Sequence, residues 1–207
     1  MKGAKRMPLL PGRMGRIVLS GMEEVLGRSE LNALLGSVSL GHSIDLLARQ
    51  DFAIPFDHLA ALLAALERSY GTLAGQGLAL RAGRACFKYG LAEYGEQLGL
   101  TTLEFRLLPL PAKLETGGQA LATLLNEGLD LGITMNEDRQ GLYWNMGQCP
   151  LCWGRRVQGH CCHLAVGVLQ EACFWVSGGK IFQIEETRCI AQGDSACTIL
   201  IDRQPIG

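Results

Sequence analysis

Apolar positions recur with a helical period through the first 128 or so residues, and from about residue 130 the period shortens to two. Ser20 and Glu23 have capping-box spacing, which predicts a short helix over 20–27 that stops at Gly27, with a second beginning after Ser29. Pro55 suits the first turn of a longer helix. Leu59, Leu62, Leu63, Leu66 and Tyr70 form its apolar stripe, and Gly71 its stop. A glycine-rich helix follows over 74–98, with Ala79, Gly83, Cys86 and Gly90 making one small-residue face. Each interior glycine costs about 1 kcal/mol against alanine. Close helix packing, in the core or at a dimer interface, is the expected compensation.

Pro109 and Pro111 mark a break, and 115–127 reads as another helix with Leu121, Leu124 and Leu125 inward. Leu131, Ile133 and Met135 then alternate, Asp138 to Gly141 reads as a turn, and Tyr143 and Trp144 suit a returning strand. Ala165, Val166, Leu169 and Cys173 return to helical spacing over 162–175, and Ser177-Gly178-Gly179 ends that helix. The rest predicts a hairpin: a strand over 180–190, a turn at Ala191-Gln192-Gly193-Asp194, and a strand over 196–201. The order of helices, two strands, a helix and two strands predicts an α+β fold, an antiparallel four-stranded sheet covered on one face by helices. Residues 1–14 hold four basic residues, two prolines and no acid. They read as a flexible basic tail; a weak contact with an anionic membrane surface is the sharper alternative. Residues 15–207 then form a single domain, with a helical half over about 15–128 and a sheet and cysteine-rich half over about 129–203.

Composition narrows the classes. With 48% hydrophobic and 19% charged residues in 207, the chain is not disordered and can bury one full core. Lys plus Arg is 19 against 20 Asp plus Glu, a net charge of -1, which argues against a nucleic-acid binder. No uncharged apolar run approaches the ~20 residues of a membrane span. Pro8, Pro11, Gly12 and Arg13 interrupt the N-terminus, which does not read as a signal peptide. A cytoplasmic chain is expected, and there eight cysteines do not suggest a disulfide framework. Cys86 stands alone. The other seven lie between 149 and 197, together with His160 and His163.

That cluster carries the candidate chemistry. A strand alternates, so Glu186 shares the apolar face of Phe182 and Ile184, while Glu185 points away. An unpaired buried carboxylate is costly. Cys189 follows three residues on, and Cys197 returns across the turn. Thiolate and carboxylate are both zinc ligands, and a closed structural site needs four. Cys162, at a helix start that favours the thiolate, supplies the fourth. The candidate metal site is thus Cys162, Glu186, Cys189 and Cys197, with Cys161 the rival for the first position. The competing reading makes the cysteines small buried apolar residues and gives Glu186 an arginine partner. Cys149-Pro-Leu-Cys152 admits half of a second metal site with His160 or Cys161, a redox pair, or a structural knuckle. His163 is a weaker candidate ligand for a metal or a tetrapyrrole. His42 and His58 read as surface or cap residues. Trp144, Trp153, Phe174 and Trp175 are candidates for an aromatic pocket, and Arg155 and Arg156 for pairing a ligand carboxylate or phosphate. No Ser/His/Asp arrangement, P-loop, dinucleotide glycine motif or HExxH is present, which weighs against an enzyme.

Over about residues 145–203 the chain resembles the 4-vinyl reductase domain family. The matching residues are Cys149-Pro-Leu-Cys152 with Gly154-Arg155, then Cys162, Gly167, Trp175 and Gly178-Gly179. Glu186-x-x-Cys189, Ala191-x-Gly193-Asp194 and Cys197 complete them. The helical half, Gly83-Arg84 included, is similar but less distinctive. The resemblance implies a ligand-binding α+β fold of the nitric oxide signalling/Golgi transport type, shared with TRAPP subunits and haem-type nitric oxide sensors. It implies a pocket between helices and sheet. In related sensor domains of aromatic-responsive bacterial regulators, a cysteine, a glutamate and two further cysteines bind zinc; carried over, these fall on Cys162, Glu186, Cys189 and Cys197. Homologues from photosynthetic bacteria are linked to chlorophyll or bilin handling. The resemblance therefore implies a zinc-stabilised, homodimeric binding module for a hydrophobic ligand, with a tetrapyrrole favoured. It would act as a carrier, sensor or assembly factor beside photosystem or pigment-synthesis proteins, in the cytoplasm or at the periphery of a photosynthetic membrane. Lacking the AAA+ and DNA-binding parts of the regulators, the chain reads as a stand-alone domain. The alternatives are a reductase acting on a vinyl tetrapyrrole, for which no nucleotide or flavin fingerprint is visible, and a structural or assembly subunit acting through a helical dimer face.

Overall fold

Helices come first along the chain and the main sheet is built from its last third, as the change of period predicts. The computed structural model describes residues 7–38, 40 and 53–206; His42 lies outside them. The order is β1 (Leu9–Leu10), α1 (Gly12–Leu26), α2 (Arg28–Ser37), β2 (Ile54–Pro55), α3 (Phe56–Tyr70), α4 (Thr72–Tyr94), α5 (Leu103–Leu107) and α6 (Leu110–Leu129). Then come β3 (Ile133–Glu137), β4 (Gly141–Met146), α7 (His163–Val176), β5 (Phe182–Arg188) and β6 (Cys197–Pro205). β1 and β2 form a separate antiparallel pair. Among the described residues no helix is long and apolar enough to cross a membrane.

Local signals failed at three places. Ser20 does not cap a helix. The stripe of Met14, Val18, Leu19 and Met22 carries α1 through it from Gly12, just after Pro11. Part of the stretch read as a basic tail, β1 and the start of α1, is thus regular structure, because Leu10 and Met14 are buried against the helices. Tyr70 is not in the core: its ring is exposed, and its hydroxyl donates to Glu30 Oε2 at 3.0 Å. Helix α6 starts five residues earlier than predicted, since Pro111 fits a first turn, where its missing N–H is no loss.

The four long strands are ordered β3-β4-β6-β5, every neighbour antiparallel. Met135, Trp144, Ile199 and Glu186 are register partners in a row, so they share the inner face. Near its end β5 bulges: Glu186 faces Ile199 while Arg188 already faces Thr198. One extra residue is therefore accommodated. In a regular strand, positions three apart point to opposite faces. The bulge removes that conflict and lets both Glu186 and Cys189 serve the inner side.

Two glycines set the helix layer. A Cβ on Gly83 of α4 would collide with the carbonyl oxygen of Leu164, and a Cβ on Gly167 of α7 with the carbonyl oxygen of Leu80. The contact is reciprocal, backbone against backbone. Gly21 of α1 approaches α4 in the same way, where a Cβ would lie 2.6 Å from Cys86 Sγ. Ala79, Gly83 and Cys86 of the small-residue face are thus buried inside the chain, while a Cβ at Gly90 would meet open space. Replacing Gly83 by alanine should destabilise the fold by about 1–3 kcal/mol, as overpacking does. Gly77, exposed on α4 with open space at its Cβ position, should instead gain about 0.5–1 kcal/mol on the same change. Paired chemical-denaturation curves of the two variants test this; equal shifts in one direction would refute the close-approach account.

Candidate functional site

Three segments converge at one end of α7. Cys162 precedes its first residue, the turn carrying Cys149 and Cys152 follows β4, and Cys189 and Cys197 flank the tip of the β5–β6 hairpin. All eight cysteines are free and buried. The Sγ of Cys162 lies 3.4 Å from that of Cys149 and 3.7 Å from that of Cys197. Cys197 Sγ is 3.5 Å from Cys152 Sγ and 4.0 Å from Cys189 Sγ. Disulfide sulfurs sit about 2.05 Å apart. A tetrahedral zinc with Zn–S near 2.3 Å separates its sulfurs by about 3.8 Å. The observed spacing matches the second case.

Glu186 is 4% exposed and lies among these thiols. Its Oε2 accepts the amides of Cys161 at 3.0 Å and Cys162 at 2.8 Å, while Oε1 is buried without a partner. Burial pushes its pKa up to about 7. The arginine partner that the competing reading required is not there: Arg155 pairs with Glu67 Oε1 at 2.9 Å instead. A cation at the bare oxygen would offset this desolvation. Ligand atoms of Cys162, Glu186, Cys189 and Cys197 all lie within 4.8 Å of one another, and so do those of Cys149, Cys152, Cys162 and Cys197. The cluster could hold a metal. Hydrogen bonding from Cys152 and its neighbours draws Cys189 down towards the thiolate, whereas Cys149 and the other thiols around Cys162 hold it up as a thiol. The Ile190 amide points at Cys197 Sγ from 3.3 Å, and the Cys189 amide donates to Asp194 Oδ2 at 2.8 Å. Cys161 Sγ lies 3.7 Å from Cys189 Sγ but joins neither group of four. His160 is exposed and outside both. His163 turns its ring to the His160 carbonyl at 3.1 Å, and burial lowers its pKa.

A second feature adjoins the first. Between α1, α4, α6, α7 and the inner face of the sheet is an apolar cavity of about 230 Å³. An engineered apolar cavity of about 150 Å³ stays dry and binds benzene, so this one accommodates at least an aromatic ring. Phe87, Leu121, Trp144, Val168 and Trp175 represent its walls, and among the described residues Lys113 is the one charged side chain lining it. Of the candidate ligand-binding residues, Trp144 and Trp175 line this cavity, and Trp153, Arg155 and His163 lie outside its lining. Trp153 packs edge-on to Phe56 at 5.6 Å, and Phe174 points outward, 38% exposed. Pro150 and Leu151, the residues between Cys149 and Cys152, line the cavity, as do Met146 and Leu164. The cysteine cluster thus adjoins one cavity wall.

The arrangement of helices over a four-stranded antiparallel sheet has solved counterparts. An H-NOX protein from S. oneidensis in its Fe(II)NO state superposes with a TM-score of 0.62 at 13% identity, covering 94% of this chain and 99% of that one. The fold is that of H-NOX domains. The unliganded Fe(II) H-NOX protein from K. algicida gives 0.57 at 11% identity over 96% and 99%. A structure titled for haem redox potential and porphyrin distortion gives 0.59 at 12% over 93% and 99%. No protein-family model matches the chain, and no curated protein matches it. At this identity the H-NOX likeness is one of fold.

Haem iron is commonly held by imidazole or thiolate. Among the described residues no histidine lines the cavity, and burial pushes the Cys86 and Cys173 thiols bordering it up to about 12, which keeps them neutral. These residues do not fit a histidine- or thiolate-ligated haem; they fit an apolar ring system held by packing. Binding of 1-anilinonaphthalene-8-sulfonate should accept energy from Trp144 and Trp175 but little from Trp153. Trp153→Phe should keep most of the transfer and Trp175→Phe lose roughly half. Transfer abolished by Trp153→Phe would place the dye elsewhere.

Proposed function

We propose that this protein is a zinc-stabilised binding module for a hydrophobic small molecule. The supporting observation is the join between the two features: the residues between and beside the cluster's cysteines are also a cavity wall. In this reading Cys162, Glu186, Cys189 and Cys197 hold one zinc ion. It staples the start of α7 to the hairpin tip and keeps the wall in place. Four protein ligands leave no open position on the metal, so its role is structural.

The ligand class follows from the lining. Apolar and aromatic side chains favour a flat hydrophobic molecule, and Lys113 favours one with an acidic substituent. A tetrapyrrole meets both requirements. The 4-vinyl reductase resemblance supports it, and so does the fold shared with a structure described by haem redox potential and porphyrin distortion. Since among the described residues no imidazole or thiolate faces the cavity, a bilin or another tetrapyrrole without strong axial ligation suits it better than haem. The protein would then carry, sense or deliver a pigment or its precursor to pigment-synthesis or photosystem proteins.

Elemental analysis and an absorption spectrum of protein purified from its native cells test both halves. Zinc with visible tetrapyrrole absorption is expected. Zinc with a colourless ligand would overturn the tetrapyrrole alone. Cys189→Ser should lower zinc content and the thermal midpoint together, by roughly 10 °C if the ion contributes several kcal/mol. A folded wild-type protein free of metal would overturn the zinc assignment.

A further inference from the structure

The cluster offers more donors than one ion can use. The zinc site proposed above takes Cys162, Glu186, Cys189 and Cys197 and leaves Cys149 and Cys152. Those two are 2% and 1% exposed, and their Sγ atoms lie within 4.8 Å of each other and of both Cys162 and Cys197. Four mutually close sulfurs are a complete tetrahedral donor set by themselves. The two sets share one edge, Cys162 to Cys197. At 3.7 Å, that edge has the length expected within a single zinc tetrahedron.

We propose that the cluster is a binuclear centre in which the thiolates of Cys162 and Cys197 bridge two zinc ions. Cys149 and Cys152 complete one tetrahedron; Glu186 and Cys189 complete the other. This rests on the single-zinc reading and extends it. The free Oε1 of Glu186, on a carboxylate that is almost fully buried, marks one end of the centre. The Cys-x-x-Cys spacing of 149 and 152 supplies the other end, as in many structural zinc sites.

Charge permits the second ion. Loading it removes one proton from each of Cys149 and Cys152 and adds one dication, so the net charge of the buried centre does not change. The buried centre has a cation nearby. The side chain of Arg155 is 10% exposed, with Nη1 unpartnered, and is close enough to feel charge on Cys161 and Cys162. With one ion only, two thiols would remain pressed against metal-bound sulfurs at 3.4 and 3.5 Å. The second ion also fixes Pro150 and Leu151, which face the cavity. It therefore shapes the ligand pocket more directly than the first.

The test counts ions and asks whether they are bridged. Full-length protein from zinc-replete cells should carry two zinc ions per chain, and a Cys149→Ser/Cys152→Ser double variant one. After exchange into ¹¹³Cd, the wild type should show two resonances split by mutual coupling through the bridging sulfurs, and the double variant one unsplit resonance. One ion per wild-type chain would overturn the second site and leave the single-zinc reading standing. Two resonances without mutual splitting would overturn the bridge. No bound metal would overturn the zinc reading itself. If the double variant does not fold, the wild-type count and splitting decide.

Discussion

The reciprocal contact of Gly83 and Gly167 with the facing backbones brings α4 and α7 closer than side chains would permit. Almost everything of functional interest depends on where α7 then lies. Its N-terminal end sets Cys162, the residue before its first turn, beside Cys149 and Cys197, its body supplies Leu164, Ala165, Val168 and Leu169 to the cavity, and its far end places Trp175 against Phe105 at 6.2 Å. A Cβ at either glycine would push α7 outward, pulling apart the sulfur cluster and opening the cavity at once. The cost of glycine within helices is offset here by packing, and the gain is positional.

Cluster and cavity share residues, and this couples their energetics. A protein interior does not leave a carboxylate and several thiols together without compensation. The compensation visible within the chain is partial: two amides for one oxygen of Glu186 and none for the other. Metal at this place would contribute binding energy to folding. It would do so at the end of the cavity where the chain has least regular structure, between β4 and α7. Ordering that wall beforehand reduces what a ligand must spend on organising it.

A structure of the same fold is described by its haem redox potential and porphyrin distortion, yet the lining here has neither imidazole nor an ionised thiol among the described residues. Function on this scaffold is decided by the side chains that face the cavity rather than by the scaffold.

Much of this was legible from local pattern. Alternation along 182–186 placed Glu186 on the inner face, helical spacing located α3, α4 and α7, and the clustering of cysteines after 149 marked the end that could hold a metal. These are short-range properties, set by periodicity and donor chemistry. What the tertiary structure decided has a different physical origin. The early start of α1 follows from burial of Leu10 and Met14 against distant helices, which outweighs a capping-box signal at Ser20. The preference for Cys162 over Cys161, and the approach of Cys149 and Cys152 to the same sulfurs, depend on three segments meeting. Which of the two adjacent buried cysteines faces the other sulfurs depends on the angle at which α7 begins. The bulge that reconciles Glu186 with Cys189 appears only when β5 is paired with β6, since a bulge is a relation between strands. The small-residue face on α4 could be recognised from spacing alone, but its partner could not. Only packing shows that Gly83 meets Leu164 of the same chain, because a glycine carries no side chain that could specify what approaches it.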